Sequence, residues 1–257
     1  ASGSVAGLDL ADNKWDVSIV EETDTKTIGS DPAELLLHFD GTNNDTTTSD
    51  SSASSHAITL NGNAKISTSQ SKFGGSSCYF DGNGDYLSIP DSSDFSFSTE
   101  NFTVDFWVRF NAVSRMQGLF RHSVYSGDDP GDLYIRLTSS NKIEAGVDDG
   151  PSWPVAGGVS STTTISTNTW YHIALVRDGN TLQLFINGTQ EDTDDITGVS
   201  LVDISSDIRI GYFRDGDTGY LDGYIDEYRV SKGTAVYTSS FTPPTSAYTA
   251  SISVVET

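Results

Sequence analysis

The chain has 257 residues, 35% of them hydrophobic, which is enough to bury one sizeable core. Its 14 basic and 36 acidic residues leave a formal charge of −22, which repels phosphate backbones and anionic lipid and excludes nucleic acid and membrane insertion. A single cysteine rules out an internal disulfide framework, and no run approaches the ~20 apolar residues that cross a bilayer.

Residues 1–32 are polar and acidic and end at Asp31-Pro32, a junction that disfavours helix. They read as an N-terminal arm, with the alternating Trp15, Val17 and Ile19 suggesting one short strand. So weakly apolar a segment needs a partner surface to order it, so the arm is expected to dock on a neighbouring subunit or another protein.

From Leu35 onward, short β-branched and aromatic runs alternate with Gly, Asn, Asp and Ser clusters, the pattern of an antiparallel all-β domain, here 33–248. The run Phe102 to Phe110 alternates apolar and polar, as a central strand with one face in the core does. Trp170–Arg177 and Thr181–Ile186 flank Asp178-Gly179-Asn180, which predicts a hairpin, and Asn187-Gly188 predicts the next turn. Further strands are expected at Ile208–Phe213 and within Gly219–Val230. Trp107 and Trp170 read as core, and Cys78, in Cys78-Tyr79-Phe80, as a buried inert thiol. The last residues, 249–257, form a tail whose Ile252-Ser253-Val254-Val255 suits an edge strand or a sticky end.

Several short runs occur in a telling order: Leu36-Leu37-His38-Phe39-Asp40-Gly41, Lys72-Phe73-Gly74-Gly75-Ser76, Phe80-Asp81-Gly82 and Asp85-Tyr86-Leu87. The strand at Phe102, the segment from Trp170 through Asn187-Gly188, and Gly223 to Val230 complete the series. Together they resemble the laminin-G-like, concanavalin A-like lectin and glucanase domains over roughly residues 34–245. The resemblance implies a two-sheet antiparallel jelly-roll sandwich. Ser231 to Thr238, continuing to Phe241-Thr242-Pro243-Pro244, resembles versions of the domain in tailed-phage structural proteins. That implies a non-enzymatic virion-surface protein, a capsid decoration or tail appendage, with capsid or tail proteins or its own copies as partners through the arm. The alternative is a secreted calcium-dependent lectin or carbohydrate-binding module.

Hydrolases on this scaffold need closely spaced carboxylates on one strand, and no Glu-x-Asp-x-Glu or Glu-x-Asp-x-x-Glu occurs; Asp226 and Glu227, being adjacent, should face opposite sides. His38, His56, His122 and His172 have no metal-ligand spacing. The loop Asp40, Asn43, Asn44, Asp45, Asp50 is oxygen-rich enough for calcium or for solvated Asx turns. The resemblance adds Asp226, so the expected structural-calcium ligands are Asp40, Asn44, Asp50 and Asp226. Trp153, between Pro151 and Pro154 in a polar loop, either stacks on a sugar ring or folds back as a lid on the core. With Tyr125, Tyr212 and Tyr220 it forms the expected carbohydrate-contact set.

Overall fold

The computed structural model describes residues 33–122, 133–148, 156–213 and 219–249, with the backbone of two further strands at 25–28 and 252–255. In chain order the strands are β1 (Thr25–Ile28), β2 (Leu35–Leu37), β3 (Thr59–Asn61), β4 (Lys65–Ser67), β5 (Ser77–Asp81), β6 (Tyr86–Ile89), β7 (Phe102–Phe110), β8 (Gln117–His122) and β9 (Leu133–Leu137). They continue as β10 (Ile143–Val147), β11 (Gly157–Ser160), β12 (Trp170–Asp178), β13 (Thr181–Ile186), β14 (Thr189–Asp195), β15 (Ile208–Ile210), β16 (Asp222–Lys232) and β17 (Ile252–Val255). One short 3-10 turn, Ser93–Phe95, is the only helical element among the described residues.

Two antiparallel sheets make the sandwich. The seven-stranded sheet runs β11-β10-β9-β8-β15-β6-β3, and the eight-stranded sheet runs β14-β13-β12-β7-β16-β5-β4 with β2 also on β16. The expected hairpin forms as β12–β13, with Asp178 opposite Thr181 and Gly179 at φ 59° in the turn. Asn187 and Gly188, at φ 50° and 77°, make the following turn, whose two left-handed positions suit the twist of the flanking strands. The strand expected to reach Phe213 stops at Ile210, because Gly211 turns at φ 87° and passes so close to Phe80 that a Cβ there would lie 2.7 Å from its ring. Outside the sandwich, β1 pairs with β17, so the tail segment Ile252–Val255 is a strand partnered by the arm.

Alternation in the central strand sorts its side chains. Phe102, Val104, Phe106, Val108 and Phe110 enter the core between the sheets, where Phe106 stacks on Tyr228 at 4.7 Å and 4°. Thr103, Asp105, Trp107 and Arg109 therefore face outward. Much of that outer face is covered by a strap, residues 234–249. Val236, Tyr237 and Phe241 pack on Ala174, Val176 and Phe185, and Tyr248 packs on Ala33 and Leu36. Tyr237 and Phe241 stack at 3.6 Å and 7°.

Beneath the strap lies a buried ionic network. Asp105, fully buried, accepts from Arg229 Nε at 2.9 Å, Arg229 Nη2 at 2.8 Å and the Tyr237 hydroxyl at 2.9 Å. Burial opposes charge on Asp105, but the Arg229 guanidinium, helped by His172, outweighs it and holds the carboxyl well below the usual range. His172 Nε2 meets the Tyr248 hydroxyl at 2.9 Å, so the strap is pinned at two tyrosines.

Candidate functional site

The outer face of the seven-stranded sheet is built from the residues that alternate with its core positions. Tyr134, Arg136 and Glu144 stand out from β9 and β10, while Gly146 and Gly158 leave gaps. The Tyr134 ring fills the gap over Gly146, where a Cβ would come within 2.8 Å of it. Phe213, carried across the face by the chain after β15, meets Tyr134 edge-on at 5.5 Å. The crossing needs a glycine beneath it: a Cβ on Gly118 would lie 2.2 Å from the Tyr212 carbonyl carbon. Arg121 and Arg136 each lie 4.8 Å from the Phe213 ring centre, fixing it from two directions.

At one side of this face is an open depression of about 220 Å³, with Tyr134 as its wall, Gly158 and Val159 as its floor, and Glu144, Ser160 and Asp192 at its rim. Glu144 is held by Arg136, whose Nε and Nη2 reach Glu144 Oε2 at 3.2 and 2.8 Å. Asp192 comes from β14, in the other sheet, and its Oδ2 accepts the Ser160 N–H at 2.9 Å. Two further carboxylates of β14 hold the same edge: Asp194 accepts the Gly158 N–H at 2.9 Å, and Glu191 accepts from Thr162 N and Thr163 N at 2.8 and 2.9 Å. Burial works against charge on Glu191, but the bonds from Thr162 and Thr163 prevail and keep it below the ordinary carboxylate range. The depression thus offers fixed acceptors beside an aromatic wall, an arrangement suited to the hydroxyls of a small polar ligand.

Of the aromatic residues expected to contact sugar, the structure describes Tyr212 and Tyr220. Tyr212 is 1% exposed, sandwiched by Tyr86 at 5.7 Å and Tyr220 at 4.8 Å, so its faces are taken by other rings. Arg209 lies over both Tyr86 and Tyr212, at 4.9 and 5.2 Å. Tyr220 is half-buried beside them. Trp153 and Tyr125 lie outside the described residues. Trp170, expected in the core, is half-buried on the outer face of the eight-stranded sheet. Trp107 is buried, yet also on that outer face, under the Lys72 ammonium at 3.8 Å.

The four expected calcium ligands divide between two places. Asp50 organises its own loop, accepting from Leu36 N at 2.9 Å and from Ser52 N, Ser52 Oγ and His56 N, each at 2.8 Å. Asp226 Oδ2 accepts from Lys72 N and Phe73 N at 2.6 and 3.1 Å, and Asp40 lies against the same loop, its carboxylate over Gly74. Asn44 is exposed at φ 74°. Calcium takes six to eight converging oxygens, whereas Asp50 and Asp226 are turned to protein N–H donors. No group of three or more His, Cys, Asp or Glu side chains suited to a metal occurs among the described residues. Of the expected ligands, Asp40 and Asp226 meet at the Lys72–Gly74 loop, while Asp50 is held in its own loop.

Alternation also breaks at the acidic pair. Register shifts between Asp226 and Arg229, where β16 changes partner from β5 to β2, and Glu227 takes φ 50° in the bulge. Glu227 is consequently not a simple opposite-face residue: it accepts from Tyr248 N at 2.7 Å and pairs with His38 at 3.0 Å. That hydrogen bond raises the His38 pKa in spite of burial. Burial pushes Asp226 up to about 7, against the N–H donors of Lys72 and Phe73. Cys78 is buried and its pKa is raised well above the usual thiol value by desolvation, consistent with an inert thiol.

A family model described as the concanavalin A-like lectin/glucanases superfamily, of laminin-G type, matches residues 81–236. No curated protein matches the sequence. Among solved structures, the binding domain of Paraclostridial Mosquitocidal Protein 1 is similar with a TM-score of 0.63 at 15% identity, over 79% of this chain and 49% of that one. The receptor binding domain of botulinum neurotoxin C/D mosaic serotype gives 0.60 at 16%, over 80% and 49%. Domain 4 of AbnA, a GH43 extracellular arabinanase from Geobacillus stearothermophilus solved with arabinotriose, gives 0.57 at 19%, over 79% and 94%. The chain therefore spans about half the length of the two toxin domains and nearly all of the arabinanase domain. At these identities the likeness is one of fold.

Proposed function

Starting from a chain that belongs to the concanavalin A-like lectin/glucanase superfamily, we propose that it is a non-catalytic carbohydrate-binding domain working outside the cell. The observation that carries this reading is the depression in the outer face of the seven-stranded sheet, where Glu144, Ser160 and Asp192 surround an aromatic wall. Two carboxylates, Glu144 of one sheet and Asp192 of the other, accept the hydroxyls of one sugar unit, and Tyr134 supplies the apolar contact that a ring's C–H groups require. Supporting it, two of the similar structures are described as binding domains, and a third, domain 4 of an arabinanase, was solved with arabinotriose. Residence on a virion surface is the expectation raised by the run from Ser231 to Pro244. In the structure the greater part of that run is strap, with Val236, Tyr237 and Phe241 packed on Ala174, Val176 and Phe185, so packing accounts for its apolar residues.

Titration calorimetry with arabinotriose and a panel of neutral oligosaccharides tests the proposal. A ligand of the panel should bind, and Glu144→Gln should weaken it roughly tenfold, the scale of one charge-assisted hydrogen bond. No reducing sugar should be released from that ligand. Absence of binding across the panel, or Glu144→Gln binding at parental strength, would refute the assignment of this site.

A further inference from the structure

A second surface lies on the outer face of the eight-stranded sheet, beyond the strap. Strand register sets five residues in one row across five strands: Lys65 opposite Tyr79, Tyr79 opposite Tyr224, Tyr224 opposite Arg109, and Arg109 opposite Trp170. The adjacent row, Ile66, Cys78, Ile225, Val108 and Tyr171, is entirely core, which fixes the first row as outward-facing. All five members are half-buried, with access to solvent. At ~4.8 Å per strand the row is about 19 Å long.

Its members are braced. Tyr79 and Tyr224 lie 5.1 Å apart and tilted by 43°, and the Arg109 guanidinium sits 5.7 Å from the Tyr224 ring centre. Arg109 is held by Asn168 Oδ1 at 2.8 Å and Asn111 Oδ1 at 3.1 Å, and Asn111 in turn donates to Asp222 Oδ1 at 3.2 Å. The flanking row contains Asp81 opposite Asp222.

We propose that this row is a binding surface for an extended, uncharged polysaccharide. Three accessible rings in a line, with polar groups beside them, match a linear chain of sugar rings whose flat C–H faces lie on the aromatics and whose hydroxyls meet Asp81, Asp222 and Asn168. Three cations beside the rings, Lys65, Arg109 and Arg115, the last paired with Asp222 at 3.9 Å, face three carboxylates, Asp81, Asp85 and Asp222, a balance that selects an uncharged chain over a uronate or sulfated one. The overall charge of −22 turns away nucleic acid, the other polymer that stacks on aromatic rows. This surface stands apart from the depression described above and does not depend on it.

Affinity electrophoresis of the full chain through gels containing soluble arabinan, arabinoxylan, mixed-linkage β-glucan or galactomannan tests the proposal. At least one polysaccharide should retard the protein; Tyr79→Ala/Tyr224→Ala should abolish the retardation, and Trp170→Ala should weaken binding roughly tenfold. Tyr224→Phe should keep the retardation, showing that the ring rather than the fold is read, and Glu144→Gln should also keep it. Retardation unchanged in the double alanine variant overturns the proposal. So does retardation by none of the four, a result that leaves the oligosaccharide titration at Glu144 to stand or fall alone. Concentration-dependent self-association in light scattering that the double variant removes would overturn it in favour of a second copy as the occupant.

Discussion

Replacing Asp105 by alanine removes the centre of the network under the strap. Asp105 is fully buried and Arg229 is 4% exposed, so the truncation leaves a guanidinium in low dielectric without its counter-charge. Breaking such a pair from one side costs about 3–5 kcal/mol, against a total stability of roughly 5–15 kcal/mol for a domain. The Tyr237 hydroxyl loses an acceptor in the same step, which loosens the stacked Tyr237–Phe241 pair and with it the strap. Urea unfolding followed by tryptophan fluorescence should therefore show a large fall in midpoint, equivalent to a drop in Tm of roughly 10 °C. The double variant Asp105→Leu/Arg229→Met removes both charges and refills the volume, so it should recover most of the loss. A loss below about 1 kcal/mol in the single variant, or a double variant less stable than the single, would refute the account of Asp105 as counter-charge to Arg229. Acid provides a second view. A depressed carboxyl stabilises the fold fully above its unfolded value near 3.9 and progressively less as pH falls toward its folded value, so the gap between parent and Asp105→Ala should narrow below about pH 4.

Asp226 should show the opposite sign. Its folded pKa of about 7 lies above the unfolded value, so folded protein retains a proton that unfolded chain has released, and stability declines between about pH 4 and 7, by up to ~1.4 kcal/mol per unit. Asp226→Asn should gain on the parent across that window in pH-dependent urea melts; a difference that stays flat would contradict the burial argument. Since Asp50 and Asp226 are satisfied by backbone N–H groups, dialysis against EDTA should leave the thermal midpoint unchanged, and a drop reversed by calcium would restore a cation to that loop region.

The strands whose period-two pattern is locally complete were legible from the chain: Phe102 to Phe110, the hairpin around Gly179, and the turn at Asn187-Gly188. Alternation says which side chains share a face, but not what lies over it. Hence Trp170 read as core although its face is open, while Asp105 and His172 read as ordinary polar positions although a strap more than 50 residues beyond His172 buries them. The bulge at Glu227 left no mark in composition, because a left-handed glutamate is imposed by the change of neighbour along β16 rather than by local preference. The depression was invisible for a different reason. Glu144 and Asp192 belong to different sheets and meet only where β14 reaches across to β11. The glycines of Gly157-Gly158 and the run Glu191-Asp192-Thr193-Asp194-Asp195 were the available signals, and both resemble ordinary turns until the seam is seen. The row from Lys65 to Trp170 required register between five strands, which no single-strand pattern contains.

The seam between β11 and β14 bears on how the protein survives at high concentration. A bare edge strand invites another chain to continue the sheet, and β14 meets that hazard with Glu191, Asp192, Asp194 and Asp195 along seven residues. Three of them occupy the N–H groups of the neighbouring edge, so the ladder that a second molecule would need is filled by side chains. Asp192, at the rim of the depression, thus belongs to a row of charge of the kind that discourages another strand from adding to this edge. Because Glu191 keeps its charge below the ordinary carboxylate range, that protection reaches further into acid than a row of free carboxylates would allow.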